Sequence, residues 1–413
     1  MDATIITIGD ELLIGQVIDT NSSWISEALN NIGIWVKRRI AVGDDHNEII
    51  SVLDGAKNIS DVILITGGLG PTKDDITKEV LCDYFGGKMI FNEAIFVMVK
   101  AIFDRLQRPM LESNRRQAEI PDNCIPIKNY NGTAPGMWFE SESKIFISMP
   151  GVPFEMKAMM RESVIPGLKD RFQLPVIVHK TIHIIGIGES FLAEKIRDIE
   201  NNFSESVRLA YLPNLTQVRL RITARGKVKS ELVEQVDEIT KRIEERIGIY
   251  IWGYDDDALE KKIGSLLLQR GHTVCTAESC TGGLIASMIA SVPGASAYYT
   301  GSIVSYSNEI KRDVLNVADE TLLKYGAVSE QAVQEMVQGA LQKLKSDYAI
   351  AVSGIAGPSG GTEDRPVGTV WIAVGNKENT IAASFLFPGD RMRNIQRSAI
   401  SALDMLRKFI LSS

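Results

Sequence analysis

At 413 residues, with 45% hydrophobic and 23% charged side chains, the chain is long enough for two to four domains that each bury a core, and too apolar for a disordered polymer. A net charge of −7 excludes a surface built throughout for nucleic acid or anionic membrane, and no apolar run is long enough to span a bilayer. Cys82, Cys124, Cys275 and Cys280 show no paired CxxC spacing, so reduced thiols are expected rather than a disulfide framework or a zinc site. The start runs directly into a strand with no basic or long apolar leader, which gives a cytoplasmic expectation with no membrane partner.

The first domain is placed at residues 1–170. Thr4 to Ile8 reads as a strand, and Thr20 or Asn21 then caps a helix with Trp24, Ile25, Ala28, Leu29 and Ile32 on one face, ended near Gly33. Ile34 to Ile40 is the next strand; Ile49, Ile50, Leu53 and Ala56 mark a second helix, and Val62 to Thr66 is a nearly all-apolar third strand. This βαβαβ order predicts a parallel sheet covered on both faces, with ligands beyond the carboxyl ends of its strands. There Gly67, Gly68 and Gly70, with Thr72, let backbone amides wrap a phosphate. Glu11, Asp45 and Asp75 follow three different strands, and carboxylates beside a phosphate call for a hard divalent cation between them. Each has a plainer alternative: a charged first helical turn for Asp75, a solvated loop for Glu11.

Gly9-Asp10-Glu11-Leu12, Asp19-Thr20-Asn21 and the run Thr66 to Thr72 with Asp75 resemble the molybdopterin-binding domain shared by molybdenum-cofactor enzymes and the competence/damage-inducible CinA family. Asn114, Gln117, Pro121, the run Asn129 to Gly136 and Met149-Pro150-Gly151-Val152-Pro153 are similar to the CinA branch. That resemblance implies metal-dependent hydrolysis of ADP-ribose to AMP and ribose 5-phosphate. It implies Glu11 and Asp75 as ligands of a divalent ion, with or without a monovalent cation, and the 67–72 loop as phosphate cradle.

Residues 175–252 follow the order βαββαβ, that of a small split-βαβ domain. Gly186 to Ser190 is a strand exit and helix cap, since a partial glycine pattern is a weak nucleotide signature. Arg219, Arg221, Arg225, Lys227 and Lys229 form a basic strand and turn, compatible with RNA but more commonly the wet side of a sheet. By resemblance this is a linker domain that helps a homodimer form.

The third domain, 257–413, is organised around Thr276 to Gly283. Thr273 to Cys275 reads as a strand and Leu284, Ile285, Met288 and Ile289 as a helix, so Ser279, Cys280, Thr281, Gly282 and Gly283 sit on a strand-to-helix turn. Free helix N–H groups are expected there to face charge developing beside Ser279, although Ser279 or Thr281 as a plain helix cap fits the same stretch. Tyr306-Ser307-Asn308 with Lys311, Ser353-Gly354-Ile355-Ala356-Gly357 and Gly389-Asp390-Arg391-Met392-Arg393 each follow another apolar strand. A serine nucleophile needs a base, and with His272 as the one histidine near a motif here, a lysine is the remaining candidate. To serve near neutral pH, Lys311 has to fall from ~10.4 to about 7 or 8, which requires burial or neighbouring charge. Cys280 as nucleophile is the competing reading, since a thiol at a helix start can ionise.

These motifs resemble the CinA carboxy-terminal domain, also known as a stand-alone nicotinamide mononucleotide deamidase. The resemblance implies Ser279 as nucleophile and Lys311 and Tyr306 handling its proton. It places Ser353 where threonine is usual, and an arginine at or near Arg391, with Arg393 beside it, on the nucleotide phosphate. Glu278, Cys280, Thr281, Gly282, Gly283, Asn308, Gly354 and Gly357 line the substrate in this reading. The expectation is an α/β chain with a parallel-sheet molybdopterin-binding-like domain, an α+β linker and an α/β/α deamidase domain. Its substrates would be nicotinamide mononucleotide and ADP-ribose, with no cofactor in the deamidase domain and no nucleic-acid partner. The alternative is a non-catalytic pterin-, nucleotide- or RNA-binding protein linked to competence or DNA damage.

Overall fold

The computed structural model describes residues 1–215 and 217–412. The chain is mixed α/β and packs as two compact units, residues 1–178 with 224–234, and residues 179–223 with the remainder.

In the first unit, strands β1 (Asp2–Ile8), β2 (Trp35–Val42) and β3 (Val62–Thr66) alternate with helices α1 (Thr20–Asn30) and α2 (His46–Lys57); α3 (Thr77–Tyr84) follows. Ile5, Ile63, Leu64 and Ile65 are buried because helices cover both faces of the sheet. Strands β4 (Ile125–Ile127), β5 (Gly136–Ser141) and β6 (Lys144–Met149) complete a sheet of order β2-β1-β3-β6-β5-β4. β2, β1, β3 and β6 are parallel, as expected; β5 and β4 add an antiparallel margin that the βαβαβ reading did not contain. The α1 cap is Asp19, one residue before the expected position, and its carboxylate accepts from Ser22 N at 2.9 Å.

Strands β7 (Val176–Ile185), β8 (Val207–Asn214), β9 (Gln217–Gly226) and β10 (Ile251–Tyr254), with helices α4 (Glu189–Glu200) and α5 (Lys229–Ile247), give the small sheet, order β8-β9-β7-β10. Ile185 and Trp252 join the same apolar cluster as Leu259, Ile263 and Leu403 of the second unit.

The remaining chain forms α6 (Leu259–Arg270), β11 (Val274–Glu278), α7 (Leu284–Ala290), β12 (Tyr299–Val304), α8 (Asn308–Leu315), α9 (Glu330–Leu344), β13 (Tyr348–Gly354), β14 (Thr369–Gly375), β15 (Thr380–Leu386) and α10 (Arg391–Ser412). The sheet order is β12-β11-β13-β14-β15, with β11 inside the sheet and parallel to both neighbours. Two buried clusters flank it: Val333, Met336 and Val337 of α9 on one face, and Ile263, Ile285 and Leu406 of α6, α7 and α10 on the other. This is a three-layer α/β/α domain. Among the described residues no helix is long and apolar enough to cross a membrane.

Helix α8 is seated on α9 through Gly339, where an added Cβ would land on the Leu315 carbonyl oxygen. Gly339→Ala is therefore expected to cost about 1–3 kcal/mol and to lower the thermal midpoint by a few degrees. An unchanged melting curve would show that α8 does not need this close approach.

Candidate active sites

The interior strand β11 delivers Ser279 to the carboxyl edge of its sheet. Its neighbours fix it there, since Ser279 N donates to Val352 O at 2.9 Å and Ser305 N donates to Glu278 O at 2.8 Å. Beyond β12 the Ser307 hydroxyl accepts from Ile310 N and starts α8. One turn into that helix Lys311 points inward and is only 1% exposed. Its Nζ lies 3.0 Å from Ser279 Oγ, 2.7 Å from the Ser305 carbonyl and 3.4 Å from the Tyr306 carbonyl.

Burial pushes the Lys311 amine down from 10.5 to about 8, and the charge interaction with Cys280 acts in the opposite direction. The three oxygens suit both protonation states. An ammonium donates to all of them; a neutral amine donates to the two carbonyls and turns its lone pair to the Ser279 O–H. At pH 7 about a tenth of the molecules then carry the neutral form, ~300-fold more than an amine at 10.5 would. The neighbouring Cys280 thiol is pushed up to about 12, chiefly by burial, so it stays protonated where Lys311 can act.

Other strand exits close around this pair. Arg391, at the start of α10, donates from Nη1 to the Gly357 carbonyl at 2.8 Å and from Nη2 to the Tyr306 hydroxyl at 2.9 Å. Tyr306 thus meets Lys311 through its backbone, while its ring is 59% exposed and its hydroxyl faces Arg391. Asn394, fully buried, donates from Nδ2 to Ala356 O and Gly389 O and ties two of these loops together. Sequence reasoning missed Asn394, which lies one turn before Ser398 on the buried face of α10.

Several expected residues stand elsewhere. The Ser353 hydroxyl, level with Ser279 on the neighbouring strand, donates to Ala327 O at 2.7 Å. Arg393 pairs with Asp390 at 3.3 Å, and Asn308 is exposed in the first turn of α8. Gly354 packs against Thr369 and Val370, Gly357 has φ +91, and Thr281 is buried at 3% exposure. The helix amides of Gly283, Ile285 and Ala286 are not free: they donate to the Glu278 carboxylate. The expected use of those N–H groups for charge beside Ser279 is thereby overturned.

In the first unit the loop from Gly67 to Asp75 follows β3. Gly67 and Gly68 take φ +117 and +63, and Thr72 donates from its amide, at 2.9 Å, and from its hydroxyl to Asp75. Gly70, Thr72 and Asp75 line a cleft of about 460 Å3 together with Lys78, Arg116 and Gln117. Burial lowers the Lys78 amine to about 8, and its Nζ donates to the Arg116 carbonyl at 3.3 Å.

The three acidic residues expected to share a metal are not gathered. Asp45 caps α2, accepting from Asn47 N and Glu48 N, and Asp75 is engaged by Thr72. Among the described residues no group of three or more His, Cys, Asp or Glu is placed to hold an ion. The crowded carboxylate is instead Asp44. Burial raises it first; its bond from the Asp10 amide opposes, and the charges of Asp10, Glu11 and Asp74 raise it further. Asp10 N donates to the Asp44 carboxylate at 3.2 Å and Asp44 N to that of Asp10 at 3.3 Å, and carboxylate oxygens of this kind are the donors a hard divalent cation takes, one or two at a time.

Three family models cover the chain in succession: "Probable molybdopterin binding domain" at residues 4–170, "Damage-inducible protein CinA KH domain" at 179–253 and "CinA C-terminal domain" at 256–410. A CinA-like protein of Cytophaga hutchinsonii is 44% identical over 410 residues, 98% of this chain and 97% of its own. A putative competence-damage inducible protein of Caldicellulosiruptor saccharolyticus is 41% identical over 412 residues, the whole of both. The crystal structure of competence/damage inducible protein CihA from Agrobacterium tumefaciens is 39% identical, with TM-score 0.36, over 36% of this chain and 92% of that one. The chain belongs to the CinA family.

Proposed function

We propose that the carboxy-terminal domain hydrolyses the amide of nicotinamide mononucleotide to the acid and ammonia. The observation that carries this is the 3.0 Å contact between Ser279 Oγ and the buried amine of Lys311. In this mechanism neutral Lys311 takes the Ser279 proton as Oγ attacks the amide carbon, then gives it to the departing nitrogen, which leaves as ammonia. The ester left on Ser279 is cleaved by water, whose proton passes through the same amine, and nicotinate mononucleotide departs with Ser279 restored. No cofactor enters. The Arg391 guanidinium, pairable with Tyr306 or a phosphate, is assigned to the nucleotide phosphate.

The amino-terminal domain is assigned metal-dependent cleavage of ADP-ribose to AMP and ribose 5-phosphate. The glycine loop and the cleft beside Asp75 support this, and one or two of the carboxylates Asp10, Glu11 and Asp44 would hold a divalent ion. Bound, such an ion supplies neutralisation of the pyrophosphate charge. Both substrates are fragments of one dinucleotide, so the two heads serve pyridine-nucleotide recycling, in a cytoplasmic homodimer under the same proposal.

Ser279→Ala is expected to lower ammonia release by at least about 1,000-fold while ADP-ribose cleavage with added divalent ion persists. Loss of both activities together would contradict the division of labour. A second check is pH: because the base form of Lys311 is needed, kcat/KM for nicotinamide mononucleotide should climb about tenfold per pH unit and level off above about 8. Cys280→Ala should keep this profile, whereas a profile that disappears with Cys280 would move the chemistry to the thiol.

A further inference from the structure

Glu278 is the last residue of β11, directly before Ser279, and is fully buried. Its Oε2 accepts from the amides of Gly283 and Ile285, both at 3.1 Å; its Oε1 accepts from the amide of Ala286 at 2.8 Å and the hydroxyl of Thr276 at 3.3 Å. A carboxylate has about four acceptor positions, so these donors leave none for a substrate. The amides belong to the start of α7, where the helix dipole favours a negative charge.

The bonds close a loop from the strand end to the helix start, with Ser279 on it. Within this arc Gly282 and Gly283 sit at φ +60 and +98, conformations that glycine reaches freely but does not enforce. An arc hinged on two glycines needs something to hold its path. The side chain at its foot, bonded across it to three amides, does so together with the turn bonds from Gly282 N to Ser279 O and from Leu284 N to Thr281 O, both 3.1 Å. We infer that Glu278 is a positioning residue, holding Ser279 Oγ against Lys311 Nζ without touching substrate.

This rests on the Ser279 and Lys311 reading, and the experiment separates the two. Glu278→Gln keeps the shape but turns an NH2 group toward N–H donors; Glu278→Asp keeps the charge but is one methylene short. Each full-length variant is compared with wild type for kcat and KM on nicotinamide mononucleotide, and for the rate at which a fluorophosphonate probe labels Ser279, quantified by peptide mass spectrometry. The expected result for Glu278→Gln is kcat lowered about 100-fold with KM within threefold, Ser279 labelling slowed in parallel, and partial recovery in Glu278→Asp. A raised KM with kcat kept would make Glu278 a substrate contact and overturn the inference. So would unchanged kcat and labelling with only a lower thermal midpoint. If wild type labels at Ser279 but releases no ammonia, the substrate reading fails while the labelling rates still decide the role of Glu278. A wild type that does not label overturns both, and if one variant does not fold the other carries the comparison.

Discussion

A lysine amine shut inside the protein without a carboxylate beside it is the constraint on which the carboxy-terminal domain turns. All three polar contacts of Lys311 Nζ are to uncharged oxygens. Burying an unpaired charge is costly, and the cost is relieved by losing the proton, which is also what a base must do before it can act. The surroundings keep this arrangement. The Ser307 cap starts α8 at the right residue, Gly339 lets that helix sit close to α9, and the interior position of β11 ties the Glu278–Ser279 peptide to a backbone partner on either side.

The two units treat buried lysine differently. Lys78, in the cleft of the first unit, is also lowered to about 8 by burial, but Glu119, Glu79 and Asp75 pull it back toward its charged form. At Lys311 the opposing influence among the described residues is that of Cys280. The same degree of lowering therefore arises in a charge-crowded cleft suited to anions and cations together, and in a dry pocket suited to proton transfer. Asp44 belongs with the first, its carboxyl held up by burial and by neighbours of its own sign.

Much of the architecture was legible because strands buried on both faces read as unbroken apolar runs, as Val62 to Thr66 does. What lies at the exits was legible as residue types and not as directions. Ser279 directly after β11 and Ser353 near the end of β13 carry the same hydroxyl, yet Ser279 faces Lys311 and Ser353 the Ala327 carbonyl. The two serines come level on neighbouring parallel strands, Glu278 pairing with Val352, so the difference lies in what the loops around each hydroxyl offer, and no local pattern states it. Asp45 illustrates a second ambiguity, because an aspartate before a helix serves equally well as a cap or a ligand, and here it caps α2. The bonds of Glu278 were hidden for a related reason: the sequence places a carboxylate beside a helix start without telling whether it bonds that helix or a ligand.

The central claim, that the amine facing Ser279 gives up its proton near neutral pH, is open to direct measurement. Lysine side chains labelled with carbon-13 at Cε can be titrated by NMR in the intact protein, the Lys311 resonance being assigned by its loss in Lys311→Met. The account requires a midpoint at about 8. A midpoint close to 10.5, the value of a solvated lysine, would contradict it.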